Sequence, residues 1–143
     1  MELGEIMTTG VEVISADESV MEAAIKMKQL DVGLIPVCDG DKLRGVVTDR
    51  DIVVRATAKG RDPAHTKVSD VMSADVVYCF EDQEVEEGVS LMAVRQIRRL
   101  PILNQAKSLV GIVSLGDIAI DVRNRELSGE TLEEVSEPAV PRK

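Results

Sequence analysis

The sequence predicts a chain of the α/β (α+β) class, made of two β-α-β-β-α repeats related by pseudo-twofold symmetry. Three observations predict it. Residues 45–52 read Gly-Val-Val-Thr-Asp-Arg-Asp-Ile, and residues 111–118 read Gly-Ile-Val-Ser-Leu-Gly-Asp-Ile. An apolar-Pro-apolar triplet precedes each, Ile35-Pro36-Val37 and Leu100-Pro101-Ile102. Each copy opens with a similar pair, Met7-Thr8 and Met72-Ser73. The copies lie 65 residues apart at the front and 66 at the back, with one extra residue between Pro101 and Gly111. Self-similarity at this period marks a duplicated unit. A duplication also creates a cleft between the halves, lined by matching residues. Each half alone, at roughly 60 residues, would be marginally stable, so the halves are expected to share a core.

The elements follow in order. Residues 11–14, Val-Glu-Val-Ile, are short and partly alternating, as in a strand. Asp17-Glu18-Ser19 offers capping groups before a helix whose Val20, Ala23, Ala24 and Met27 recur at three- and four-residue steps. Residues 34–38 read as a buried strand; its Pro36 points to an edge or an interrupted ladder. The turn Asp39-Gly40-Asp41 joins it to a second strand at 43–48, giving a hairpin. A helix over 49–58 starts from Thr48, a good cap, and ends at Gly60-Arg61-Asp62-Pro63. The second copy repeats the order: a strand at 76–80, a helix capped by Asp82 with Val85, Val89 and Met92 inward, a hairpin of 99–103 with 109–114, and a helix from Asp117. The predicted division is repeat 1 at 5–60, a linker at 61–70, repeat 2 at 71–122 and a tail at 123–143. Within the tail, Thr131-Leu132-Glu133-Glu134 fits a capping box and predicts a short helix.

Composition narrows the function. The chain of 143 residues carries a formal charge of −9 and has no Trp, one Phe and one Tyr. The core must be aliphatic. Aromatic stacking on bases and attraction to a phosphate backbone are both disfavoured, so no nucleic-acid partner is expected. No apolar run approaches the roughly 20 residues of a membrane span. The first residues, Met1-Glu2-Leu3-Gly4-Glu5, lack a secretory pattern. The expectation is a cytoplasmic protein that engages no membrane. Cys38 and Cys79, with the lone His65, give no metal signature and are read as reduced, part-buried thiols.

The repeated segment carries the chemistry. A Thr or Ser at a strand end can place its hydroxyl at a helix start, and an Asp three residues on lies in the first turn. That carboxylate can accept two hydrogen bonds, which suits paired ribose hydroxyls. The helix start and free backbone N–H groups suit a phosphate. Thr48 with Asp51, and Ser114 with Asp117, are the candidate ribose and phosphate anchors. The same residues also serve as plain helix caps. Arg98 and Arg99, just before Leu100-Pro101-Ile102, are candidate phosphate ligands, since an Arg fork matches phosphate oxygens; the alternative is a solvated surface pair or one partnered with the abundant carboxylates. Arg50, beside Asp51, faces either phosphate or solvent.

These motifs resemble the CBS domain, named for cystathionine β-synthase, in its usual tandem pair (a Bateman module), over about residues 5–122. The segment Asp49-Arg50-Asp51-Ile52-Val53 in so short a chain is similar to stand-alone bacterial CBS pairs of the hypoxic response type. The resemblance implies an adenosine-containing ligand such as AMP, ADP, ATP, NAD or S-adenosylmethionine, and a sensor that regulates in trans. It also implies a disc-shaped homodimer through apolar helix faces, and an effector protein whose identity the sequence does not reveal. Ile97-Arg98-Arg99-Leu100 resembles the stretch of the AMP-activated protein kinase gamma subunit in which basic residues reach nucleotide phosphates. The resemblance places Thr48 and Asp51 in one cleft with Ser73, Val77, Ile97 and Arg98. It places Ser114 and Asp117 in another with Thr8, Val13, Val32 and Gly33. The apolar members would sandwich adenine or belong to the core. Only the second repeat has the basic pair, so the clefts are expected to be inequivalent, the first preferring more phosphate charge.

Catalysis is not expected. His65 sits in the linker, no nucleophile lies in a recognisable elbow, and Asp51 and Asp117 are read as ribose partners rather than an acid–base pair. The alternatives are an interaction dimer with degenerate clefts that binds no nucleotide, a redox responder using Cys38 or Cys79, and a weak nucleotide-processing enzyme.

Overall fold

A computed structural model describes residues 1–127; the helix predicted after Thr131 lies outside the described residues. The chain forms two compact units, one of residues 12–76 and one that joins residues 1–11 to the chain from Val77 onward.

In the unit of residues 12–76, α1 (Val20–Leu30) starts where the Ser19 hydroxyl accepts the Glu22 N–H at 3.1 Å. It ends at Asp31, which turns left-handed with φ 56°. Its inward stripe of Val20, Ala23 and Met27 packs under an antiparallel hairpin of β1 (Leu34–Asp39) and β2 (Lys42–Thr48). Gly40 makes the hairpin turn at φ 65°. Next comes α2 (Asp49–Arg55), shorter than the helix predicted over 49–58: after Ala56 the chain tightens into a 3-10 turn, Thr57–Lys59, closed by left-handed Gly60. Residues 61–70 are tied down rather than loose. Val20 donates to the Thr66 carbonyl, Val68 to Glu18 and Ser69 to Ala16, at 2.8–2.9 Å. Val68 and Val71 are fully buried in this unit's core, beside Ile14, Ile35, Val37 and Val47.

The other unit repeats the plan. A 3-10 turn at Leu3–Glu5 docks on residues 81–83, with Leu3 donating to Gln83 at 2.8 Å and Gly4 to Glu81 at 2.9 Å. β3 (Cys79–Phe80) runs parallel to β4 (Arg99–Leu103), which pairs antiparallel with β5 (Leu109–Ser114). α3 (Val85–Arg95) and α4 (Leu115–Leu127) complete it. Leu3, Val85, Met92, Leu100, Ile102, Val113 and Ile118 form the core. Each fully buried aliphatic side chain contributes about 1.5–3 kcal/mol.

Four further local readings are corrected. The strand predicted at 11–14 is a single bridge, Ile14 to Val37, and the one predicted at 76–80 is only Cys79–Phe80. Both shorten for one reason. Ile14 donates to the Pro36 carbonyl and accepts from Cys38. The next bond of a parallel ladder would need an N–H at residue 36, which Pro lacks. Pro101 stands at the same register point beside β3. Asp82 does not cap α3; its carboxylate accepts from Gln105 at 2.9 Å, and Glu84 takes the cap position, its N–H donating to Glu87 Oε1. α4 begins at Leu115, ahead of the predicted Asp117.

The opening pair of each copy closes the hairpin of the other. Ser73 exchanges two backbone hydrogen bonds with Val46 of β2, and Thr8 exchanges two with Ile112 of β5, all at 2.8–3.0 Å. The first residue of each repeated motif, Gly45 or Gly111, lies under that crossing. A Cβ on Gly45 would stand 2.6 Å from the Ser73 carbonyl oxygen, and one on Gly111 2.6 Å from the Met7 sulfur.

Candidate functional site

Each repeated motif folds into the same turn. At the end of β2 the Thr48 hydroxyl accepts the Asp51 N–H at 3.0 Å, and Asp51 Oδ2 accepts the Thr48 N–H at 2.9 Å. At the end of β5 the Ser114 hydroxyl accepts the Asp117 N–H at 3.0 Å, and Asp117 Oδ2 accepts the Ser114 N–H at 3.0 Å. The strand ends in extended backbone and the helix begins at once, so the small hydroxyl residue satisfies a helix donor that would otherwise lack an intrahelical partner. All four side chains are half-buried. Each carboxylate spends one oxygen on its own turn. The second, Oδ1, carries no hydrogen bond among the described residues. Capping and ligand binding are therefore compatible uses of one side chain.

The surroundings of the two turns differ. In the first, the Asp49 N–H donates to the Gly33 carbonyl at 3.0 Å, and Asp49 Oδ2 comes within 2.9 Å of where a Gly33 Cβ would stand. In the second, the Leu115 N–H donates to the Arg98 carbonyl at 2.9 Å. Arg99 pairs with Ser114 across the hairpin, and both arginines are exposed. The repeat thus exchanges a glycine and an acid for an arginine and a leucine at matching positions. Asp49 was not among the sequence candidates; the pairing of Gly33 with Arg98 by position was the signal that could have found it.

Thr48, Asp51 and Ser73 belong to one unit, as do Val32 and Gly33, which lead into β1, and half-buried Val13; Ser73 reaches β2 at Val46, two residues before Thr48. Arg50 is exposed on the first turn of α2. Ser114, Asp117, Thr8, Arg98 and Arg99 belong to the other unit, where Thr8 reaches β5 at Ile112, two residues before Ser114, and Arg99 pairs with Ser114. Ile97 and Val77 also belong there, both packed partly against its core. Among the described residues no three His, Cys, Asp or Glu side chains cluster as metal ligands would, and no helix is long and apolar enough to cross a membrane. Cys38 and Cys79 are free and buried. Burial, seconded by Glu87, pushes the Cys79 thiol up to about 11, and burial also raises Cys38.

Comparison with known proteins fits this duplicated geometry. The CBS domain family matches residues 3–56 and again 68–123. The CBS domain-containing protein YhcV of Bacillus subtilis is 46% identical over 132 residues, covering 92% of this chain and 93% of that one. Hypoxic response protein 1 of Mycobacterium tuberculosis is 35% identical over 116 residues, covering 80% of each chain. The crystal structure of Hypoxic Response Protein I with two coordinated zinc ions is 34% identical and superposes with a TM-score of 0.77, over 85% of this chain and 98% of that one. The CBS domain pair of protein MJ0100, crystallised in complex with 5′-methylthioadenosine and S-adenosyl-L-methionine, is 25% identical with a TM-score of 0.74, over 84% of this chain and 98% of that one. On sequence and fold alike, the chain belongs to the CBS domain family and carries two copies of the domain.

Proposed function

We propose that this protein is a non-catalytic regulatory module that binds an adenosine-containing ligand and acts in trans, as a cytoplasmic homodimer signalling to a separate effector. The observation that carries the reading is the pair of matching Thr48–Asp51 and Ser114–Asp117 turns, each leaving one carboxylate oxygen unbonded. A carboxylate oxygen held rigidly by its neighbour's cap is a pre-ordered acceptor for ribose hydroxyls. The exposed guanidiniums of Arg50, Arg98 and Arg99 suit phosphate oxygens. The adenosine derivatives bound to the MJ0100 pair support the ligand class, and AMP, ADP, ATP, NAD and S-adenosylmethionine all belong to it.

Ligand that binds only the folded state raises the melting temperature by mass action. Thermal melts in millimolar AMP, ATP, NAD or S-adenosylmethionine are expected to show a rise of several degrees for at least one of them. No rise with any, in protein confirmed free of carried-over nucleotide, would leave an interaction module with degenerate sites.

A further inference from the structure

We infer that Arg55 is a positioning residue that locks the Ser73 segment to the Thr48–Asp51 turn, and that this lock serves the first ligand site and not the second. The inference rests on the nucleotide reading above. Arg55 ends α2, and its Nη1 donates to the Val71 carbonyl at 3.1 Å and to the Met72 carbonyl at 3.2 Å. Hydrogen bonds to a charged donor are stronger than neutral ones. The next residue, Ser73, exchanges two backbone bonds with Val46, two positions before Thr48 on β2. Thr48 and Asp51 then fix the start of α2. A closed circuit results: β2 to the Thr48–Asp51 turn, along α2 to Arg55, across to Met72, and through Ser73 back to β2. Each joint is a hydrogen bond or the chain itself. None of the seven residues of α2 is fully buried, and only Ile52 among them packs against the core, so the contacts at its two ends add to a thin apolar anchorage.

The matching position of the second copy cannot make this contact. The residue of α4 that matches Arg55 is Asp121, which pairs with Arg125 at 3.2 Å. A carboxylate cannot donate to the carbonyls of Ile6 and Met7, which match Val71 and Met72. Position of the Ser73 hydroxyl relative to Asp51 is therefore under side-chain control in one unit by a residue that the other unit does not have.

The test uses Arg55→Ala and Arg55→Lys in the full chain. Amide hydrogen exchange at Ser73 and Val46 should accelerate about tenfold or more in R55A, a loss in the range expected for a bond to a charged group. Thr8 and Ile112, which make the matching bridge in the other unit, should exchange as before, and R55K should recover part of the protection. Binding is then read with whichever of AMP, ATP, NAD or S-adenosylmethionine the wild type takes up. In an Asp117→Ala background R55A should weaken binding about tenfold; in an Asp51→Ala background it should leave the remaining affinity unchanged. Unaltered exchange at Ser73, or equal acceleration at Ser73 and Thr8, would overturn the lock. Unaltered affinity in the Asp117→Ala background would overturn its role toward ligand. Failure of the wild type to bind any of the four would instead end the nucleotide reading, while exchange at Ser73 still decides the lock itself.

Discussion

A methyl group on Gly45 would meet the Ser73 carbonyl at 2.6 Å, a distance that real Cβ contacts do not reach. The obstacle is backbone, so relief requires the Ser73 segment to lift off β2. Gly45→Ala should therefore cost about 1–3 kcal/mol, read as a lowered denaturation midpoint at unchanged slope, whereas a Cβ at Gly40 would meet nothing within 4 Å and only strain its positive φ. Equal stability of Gly45→Ala and wild type would contradict the close crossing. The buried thiols make a second residue-scale case. A thiol raised from 9.0 to about 11 is almost wholly protonated at neutral pH, and the thiolate is the reactive form. Cys79 should resist alkylation in the folded protein and react on unfolding. The raised value also stabilises the fold below pH 9, where both states hold the proton; that contribution is lost as pH climbs from 9 through about 11. Denaturation midpoints of wild type and Cys79→Ala should converge across that window; a constant gap would contradict it. The hydroxyl–Asp pairs were legible as residue types at a fixed spacing. The purpose of the glycine that opens each motif was not, because its neighbour comes from 28 residues further along the chain in one unit and from the N-terminal segment in the other.

The helices and the hairpins were legible in the chain because three- and four-residue steps, and turn residues between short apolar runs, are local signals. The ladders at 11–14 and 76–80 are shorter than the local pattern predicts, since the proline that ends each sits on the partner strand. The true cap of α3 was missed because Asp82 is the better capping residue by type, yet it is already engaged by Gln105. The helices also carry apolar side chains that their own unit leaves uncovered: Met21 and Ile25 on α1, Val53 and Val54 on α2, which touches α1. Exposed apolar groups on adjoining helices are a surface for self-association. Sedimentation equilibrium should report a dimer for the wild type and a shift toward monomer for Ile25→Glu/Val53→Glu, with an unchanged circular dichroism spectrum. A monomeric wild type, or a dimer indifferent to both charges, would contradict the use of this face.

For the whole molecule, duplication, fold class and family were all visible in the repeated motif, but the partition of the chain into units was not. The sequence repeats begin together with their opening Met-Thr and Met-Ser pairs, whereas each compact unit takes the opening segment of the other copy. Symmetry in sequence cannot distinguish an opening strand that packs on its own copy from one that packs on its twin. That exchange brings Ser73 to Val46 and Thr8 to Ile112, each two residues before the hydroxyl residue of its turn, Thr48 or Ser114. The measurement that tests the central claim most directly is isothermal titration of the wild type and of an Asp51→Asn/Asp117→Asn double variant with AMP, ATP, NAD and S-adenosylmethionine. The amide keeps an oxygen to accept the cap N–H and removes the charge, so the turns survive. Micromolar binding of one ligand by the wild type, lost in the double variant at an unchanged melting temperature, is the predicted result. Binding that persists undiminished in the double variant would contradict the assignment of these carboxylates as the ribose anchors.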